Sequence, residues 1–72
     1  VHPFSWVAAD VLVGEGVQIM AGAVVQTGAQ LGANTLVNTG ARIDHGCQIG
    51  PHNHVACGAI LCGNVHLETH TL

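Results

Sequence analysis

"AVVQTGAQLGANTLVNTGARIDHG", residues 23–46, divides without remainder into four units of six that begin at Ala23, Ala29, Thr35 and Ala41. Each unit opens on a small residue, carries an aliphatic in third place (Val25, Leu31, Val37, Ile43) and closes on glycine or asparagine (Gly28, Asn34, Gly40, Gly46). Extended both ways, the third place falls on Val1, Val7, Val13, Ile19, Val25, Leu31, Val37, Ile43, Ile49, Val55, Leu61 and Leu67. That is twelve aliphatics in twelve positions with no insertion. The opening place is mostly small, from Ser5 to Thr71, as suits a cramped inward corner. The closing place holds Gly, Asn or Asp in nine of its twelve occurrences, Asp10 among them. These residue types tolerate positive φ, so a turn recurs every six residues.

A buried aliphatic, a small inward residue and a turn, repeated every six residues, predict an all-β parallel helix of triangular section. Three units make one coil of 18 residues, twelve units make about four coils, and residues 18 apart stack at about 4.8 Å. Residues 1–72 read as a single hexapeptide-repeat unit. Both ends of such a column expose unpaired strand edges, so further coils, self-association or both are expected. The lack of an initiator Met agrees with a piece of a longer chain.

Composition removes whole classes of function. Charged residues are 7% of the chain, the formal net charge is −3, and Arg42 is the single basic residue. Nothing there attracts nucleic acid or an anionic membrane surface. Gly, Asn, Gln or His interrupts every apolar stretch well short of the roughly 20 residues of a membrane span. Three cysteines (Cys47, Cys57, Cys62) form no framework spacing, which with the absence of a secretory leader pattern points to a reduced, cytoplasmic compartment.

Within this repeat, "VHP" at the start, "IMAGAVV", "NTGARIDHGCQIG" and "HVACGAILCGNVHL" resemble the hexapeptide-repeat acyltransferases. The likeness is greatest to the sugar O- and N-acetyltransferases of the sialic acid and bacillosamine pathways. It implies a left-handed β-helix, against the usual right-handed crossover. It also implies acetyl-CoA as co-substrate, an amino sugar (free or nucleotide-linked) as acceptor, no metal, and a homotrimer. Such proteins carry a nucleotide-sugar-binding domain ahead of the "VHP" point and further coils after the position of residue 72.

The most specific part of the resemblance is a spacing: Asn38, seven residues to His45, nine to His54 and nine to Gly63. It implies His45 as general base, His54 and Gly63 beside the acetyl-CoA, and Asn38 lining the same cleft. In many relatives an acidic residue follows the base, and here that position is Gly46.

The repeat says where these residues point. His45 and Gly63 fall one coil apart on the corner between the second face (Val7, Val25, Ile43, Leu61) and the third (Val13, Leu31, Ile49, Leu67). Asn38 and His54 project from the first face (Val1, Ile19, Val37, Val55), on neighbouring coils. At about 3.3 Å per strand residue the two histidines lie roughly 15 Å apart through the packed interior. They can share a substrate only if the first face of one subunit meets the His45 corner of the next, as a closed threefold ring allows. Outward Met20, Leu36 and Leu72 suit a covered first face. Outward Trp6, Val24 and Ile60 suit another contact of the second.

In the chemistry so implied, neutral His45 takes the proton of the attacking amine or hydroxyl, and a backbone N–H near Gly63 meets the oxyanion. Asp44 reads as an outward strand residue paired with Arg42. Each residue also has a plainer reading. His45 is then a solvated turn residue, His54 an interface residue, Asn38 a rung of polar side chains, and Gly63 a residue that merely suits a turn. Cys47 is inward and belongs to the core, whereas Cys57 and Cys62 have no histidine in their own stacks to activate a thiol.

Two other classes of function use such a column. A trimeric zinc carbonic anhydrase needs two histidines five residues apart, a separation that occurs nowhere here. A non-catalytic structural or ice-binding column would repeat identical polar rungs, whereas Thr69 and Thr71 are the one close pair of threonines.

Overall fold

The structure is a computed structural model that describes residues 2–68. Between turns only the central aliphatic and the residue before it are extended, so the strands are two residues long. In chain order they are β1 (Trp6–Val7), β2 (Leu12–Val13), β3 (Gln18–Ile19), β4 (Val24–Val25), β5 (Gln30–Leu31), β6 (Leu36–Val37), β7 (Arg42–Ile43), β8 (Gln48–Ile49), β9 (His54–Val55), β10 (Ile60–Leu61) and β11 (His66–Leu67). Each strand pairs in parallel with the one three strands away, giving sheets β1-β4-β7-β10, β11-β8-β5-β2 and β3-β6-β9. Trp6 opposes Val24 and Val24 opposes Arg42, a register of 18 residues throughout. This is the expected left-handed parallel β-helix. The described residues hold three complete coils and two strands of a fourth, and the unit centred on Val1 lies outside them.

The interior is built by the two inward places of each unit. Ile19, Val25, Val37 and Ile43 are at most 1% exposed, and Ala23, Ala29, Ala41 and Cys47 are fully buried beside them. Thr35 and Asn53 are the buried polar residues, and their partners are local. Thr35 Oγ1 and Asn53 Nδ2 both donate to the Gly50 carbonyl, at 3.0 and 2.8 Å. Among the described residues no buried side-chain polar atom lacks a partner, which is what a column this narrow requires.

Coils are joined by a ladder of backbone hydrogen bonds such as Trp6 N–H to Ala23 O, Val24 N–H to Ala41 O and Arg42 N–H to Ala59 O, at 2.8–2.9 Å. Nine consecutive turns, from Gly16 to Asn64, place their closing residue at a φ of 60–74°. His52 is one of them although its residue type did not signal it, since His populates this region less often than Gly or Asn. Asp10 is not among them: its carboxylate accepts a 2.6 Å hydrogen bond from the Thr27 hydroxyl one coil on.

Burial fades toward the start of the column. Val13 is an inward aliphatic yet 45% exposed, because β2 is the edge of its sheet with no strand beneath it. Phe4, Trp6 and Leu12 are exposed at the same end. No helix among the described residues is long and apolar enough to cross a membrane.

Candidate active site

The two halves of the expected site stand on different sides of the triangle. His45 sits in the turn between β7 and β8, the corner shared by the second and third faces. Its backbone carbonyl accepts the Asn64 N–H at 2.8 Å, which fixes the next coil's turn directly over it. Gly63 occupies that turn. A methyl group built on Gly63 would lie 2.5 Å from Cε1, 2.7 Å from Nε2 and 3.1 Å from Nδ1 of the His45 ring. Gly63 is absent from the positive-φ residues, so the backbone there does not require glycine. The room above the imidazole does. Gly63 is therefore a place of close approach and not merely a turn residue.

The first face holds the other half. Asn38 follows β6 and His54 lies in β9, the neighbouring strand of that sheet. Asn38 Oδ1 accepts the Thr39 N–H at 2.7 Å, which turns its amide nitrogen toward His54 Nε2, 3.0 Å away. An amide nitrogen only donates, so Nε2 accepts and neutral His54 carries its proton on Nδ1. Both side chains are half-buried, flanked on the same face by half-buried Leu36 and by Met20, 37% exposed. Leu72, expected on this face, lies outside the described residues.

Asp44 departs from the sequence reading. Its Oδ1 accepts the His45 backbone N–H at 2.8 Å and lies 3.1 Å from Nδ1 of the His45 ring. No hydrogen bond or ion pair joins it to Arg42, whose charge is the last of the influences on it. The His45 backbone N–H, foremost, and the His45 ring hold the Asp44 carboxyl below the ordinary 3.8. The reason is local. Asn38 and Asp44 occupy the same place in their units, one residue past the strand, where the chain begins to turn. There a short amide or carboxylate folds back onto the next N–H instead of projecting as strand alternation requires.

The surroundings of His45 complete the corner. Its side chain is 59% exposed, open to a ligand. One coil earlier in the same stack stands Thr27, whose carbonyl accepts the Gly46 N–H at 3.0 Å. A recess of about 90 Å³ lined by Gln26, Arg42 and Asp44, with Val24 and Ile60 as walls, opens on the second face beside the corner. A larger cleft of about 430 Å³ runs along Gly14, Gly32 and Gly50 at a different corner and carries no ionisable group. Cys47 is buried and its thiol donates to the Cys62 carbonyl, as a core residue does, while Cys57 and Cys62 are exposed free thiols. Among the described residues no three His, Cys, Asp or Glu side chains gather as a metal-ligand set.

Residues 10–45, half of the 72, match the family of bacterial transferase hexapeptide proteins (six repeats). The chain belongs to that family. A comparison with curated proteins found no match. Among solved structures, this hexapeptide-repeat chain is similar over 94% of its length to the acetyltransferase domain of PglB from Neisseria gonorrhoeae in complex with acetyl coenzyme A, at 28% identity and a TM-score of 0.75. A second structure of the same domain gives 29% identity and a TM-score of 0.71. A histidine-to-asparagine mutant of perosamine N-acetyltransferase from Caulobacter crescentus, in complex with CoA and GDP-perosamine, matches over 97% of this chain at 29% identity and a TM-score of 0.59. The chain spans 42% of the PglB domain and 36% of the Caulobacter enzyme.

Proposed function

We propose that this chain is the hexapeptide-repeat part of an acetyl-CoA-dependent acetyltransferase whose acceptor is an amine, or a hydroxyl, of a free or nucleotide-linked amino sugar. The observation that carries the proposal is the exposed His45 ring seated on Gly63, a position that has room for the ring only as glycine. The likeness to two acetyltransferases, one seen with acetyl coenzyme A and the other a perosamine N-acetyltransferase seen with CoA and GDP-perosamine, supports the same reading.

In this mechanism neutral His45 removes a proton from the acceptor amine as its nitrogen attacks the thioester carbonyl. The carbonyl oxygen gains charge and is met by a backbone N–H of the turn at Gly63, where the missing side chain lets the substrate approach the main chain. Collapse of the tetrahedral centre forms the amide and expels the CoA thiolate, which takes up a proton. His54, with Nε2 held by Asn38, offers its Nδ1–H to the coenzyme, and Asn38 lines the same cleft.

Because His45 and the Asn38–His54 pair lie on opposite sides of one column, the working site forms between subunits. A homotrimer sets the first face of one chain against the His45 corner of the next through a heterologous contact that closes on itself. Met20 and Leu36 supply apolar area for that contact. A nucleotide-sugar-binding domain ahead of the repeat and further coils after it would complete the acceptor and coenzyme sites. Three free cysteines suit a cytoplasmic enzyme.

The test is thiol release from acetyl-CoA by the intact protein with a panel of nucleotide-linked amino sugars, comparing wild type with His45→Ala. Turnover by wild type and its loss in the variant are expected. Unchanged turnover in the variant removes His45 as the base.

A further inference from the structure

An imidazole acts as a base through the nitrogen that carries no proton, and which nitrogen that is depends on the partner of the other. His45 has one such partner among the described residues, Asp44 Oδ1 at 3.1 Å from Nδ1. The same oxygen is anchored at 2.8 Å by the His45 backbone N–H, so the carboxylate cannot swing away without giving up a second hydrogen bond. An ionised carboxylate only accepts, so Nδ1 must be the donor and Nε2 the nitrogen with the free pair. Gly63 then limits the ring from the other side, its vacant Cβ position lying 2.7 Å from Nε2.

The position that supplies an acid in the resembling enzymes carries none here: it is Gly46, at φ +68, with the Asn64 amide oxygen lying where its Cβ would point. Among the described residues no other side chain is hydrogen-bonded to the ring. Thr27, one coil below in the same stack, donates its hydroxyl to Asp10, and Arg42 makes no hydrogen bond to either Asp44 or His45.

We infer that Asp44 is the positioning residue of the His45 site: it holds the neutral imidazole as the Nδ1–H tautomer, seated over Gly63, and so makes Nε2 the proton acceptor in place of the acid that position 46 lacks. Its kinetic consequence rests on the acetyl-transfer reading, and its structural consequence does not.

The test has two arms on the intact protein. In the first, ¹⁵N NMR of the His45 ring under alkaline conditions reads the tautomer directly. Wild type is expected to carry the proton on Nδ1, and Asp44→Ala to lose that preference with its thermal midpoint unchanged. A wild-type ring protonated on Nε2, or a variant ring identical to wild type, overturns the inference whether or not the protein is active.

In the second arm, acetyl transfer is followed in Asp44→Ala, Asp44→Asn and the double variant with His45→Ala. Asp44→Ala should lower kcat by about 10- to 100-fold with KM for acetyl-CoA little changed, a smaller loss than the roughly 10⁴-fold of a buried triad aspartate because this carboxylate is half exposed. Asp44→Asn should fall between, since its amide oxygen still accepts both hydrogen bonds without the charge. On the His45→Ala background the Asp44 substitution should cost nothing more, as expected of residues that act as a unit. A further loss there means that Asp44 acts on something other than His45. A correct tautomer with no transfer to any amino sugar contradicts the proposed function and leaves the positioning of His45 standing.

Discussion

Gly63→Ala separates room for a ring from every other use of a glycine. The new methyl carbon would stand 2.5 Å from His45 Cε1 and 2.7 Å from Nε2. Carbon atoms rest about 3.5–4.0 Å apart, so the ring must retreat by about 1 Å or more. His45 is exposed on its solvent side, so it yields and the column does not. With no positive φ at Gly63, backbone strain adds nothing, and stability should stay within about 0.5 kcal/mol of wild type. Activity should not survive so well. A misplacement of about 1 Å at a reacting group costs on the order of 100-fold. That corresponds to about 2.7 kcal/mol of lost transition-state stabilisation. The assay is kcat/KM for acetyl transfer alongside a thermal melt. A variant with wild-type kcat/KM, or one whose activity falls only because its melting point collapses, refutes the view that Gly63 exists to seat His45.

Ile43→Ala should destabilise the column by about 3 kcal/mol, since Ile43 is fully buried and stacked between Val25 and Leu61; urea midpoints at one protein concentration read the loss. Gly40→Ala should cost only about 1 kcal/mol, because a Cβ there meets nothing within 4 Å and the penalty is the left-handed φ of 71° alone. A loss several times larger would mean that the corner is packed more tightly than described. Thr27→Val removes the main cause of Asp10's lowered pKa, so NMR titration should find that carboxyl moved up toward 3.8. A depressed carboxylate stabilises the fold above its unfolded value and loses that contribution as pH falls through its folded one. The variant should therefore show less loss of stability below pH 3.8 than wild type.

The repeat was readable because a β-helix imposes the same environment every six residues. Val25, Val37 and Ile43 are each fully buried, as their third place requires. The same period assigned faces: Asn38 and His54 do meet on one sheet, and Gly63 does stack on His45. What the period did not reveal depends on bonds made outside it. Strand alternation ends at Ile43, and Asp44 already lies in a turn where side chains answer to backbone N–H groups. His52 takes a left-handed φ and Asp10 does not, because residue type states only a tolerance. Whether Gly63 served conformation or space was invisible until its φ and its neighbour were known together. Val13 keeps the inward pattern but not the burial, since the pattern does not show where a sheet ends.

The central claim is that the two key imidazoles belong to different molecules at each working site, and subunit mixing tests it most directly. His45→Ala and His54→Ala chains, each inactive alone, are co-refolded in equal amounts and assayed for acetyl transfer. In randomly mixed trimers one contact in four joins an intact His45 to an intact His54, so about a quarter of wild-type activity should return. No recovery from a mixture shown to form hybrid trimers would contradict a site built across two subunits.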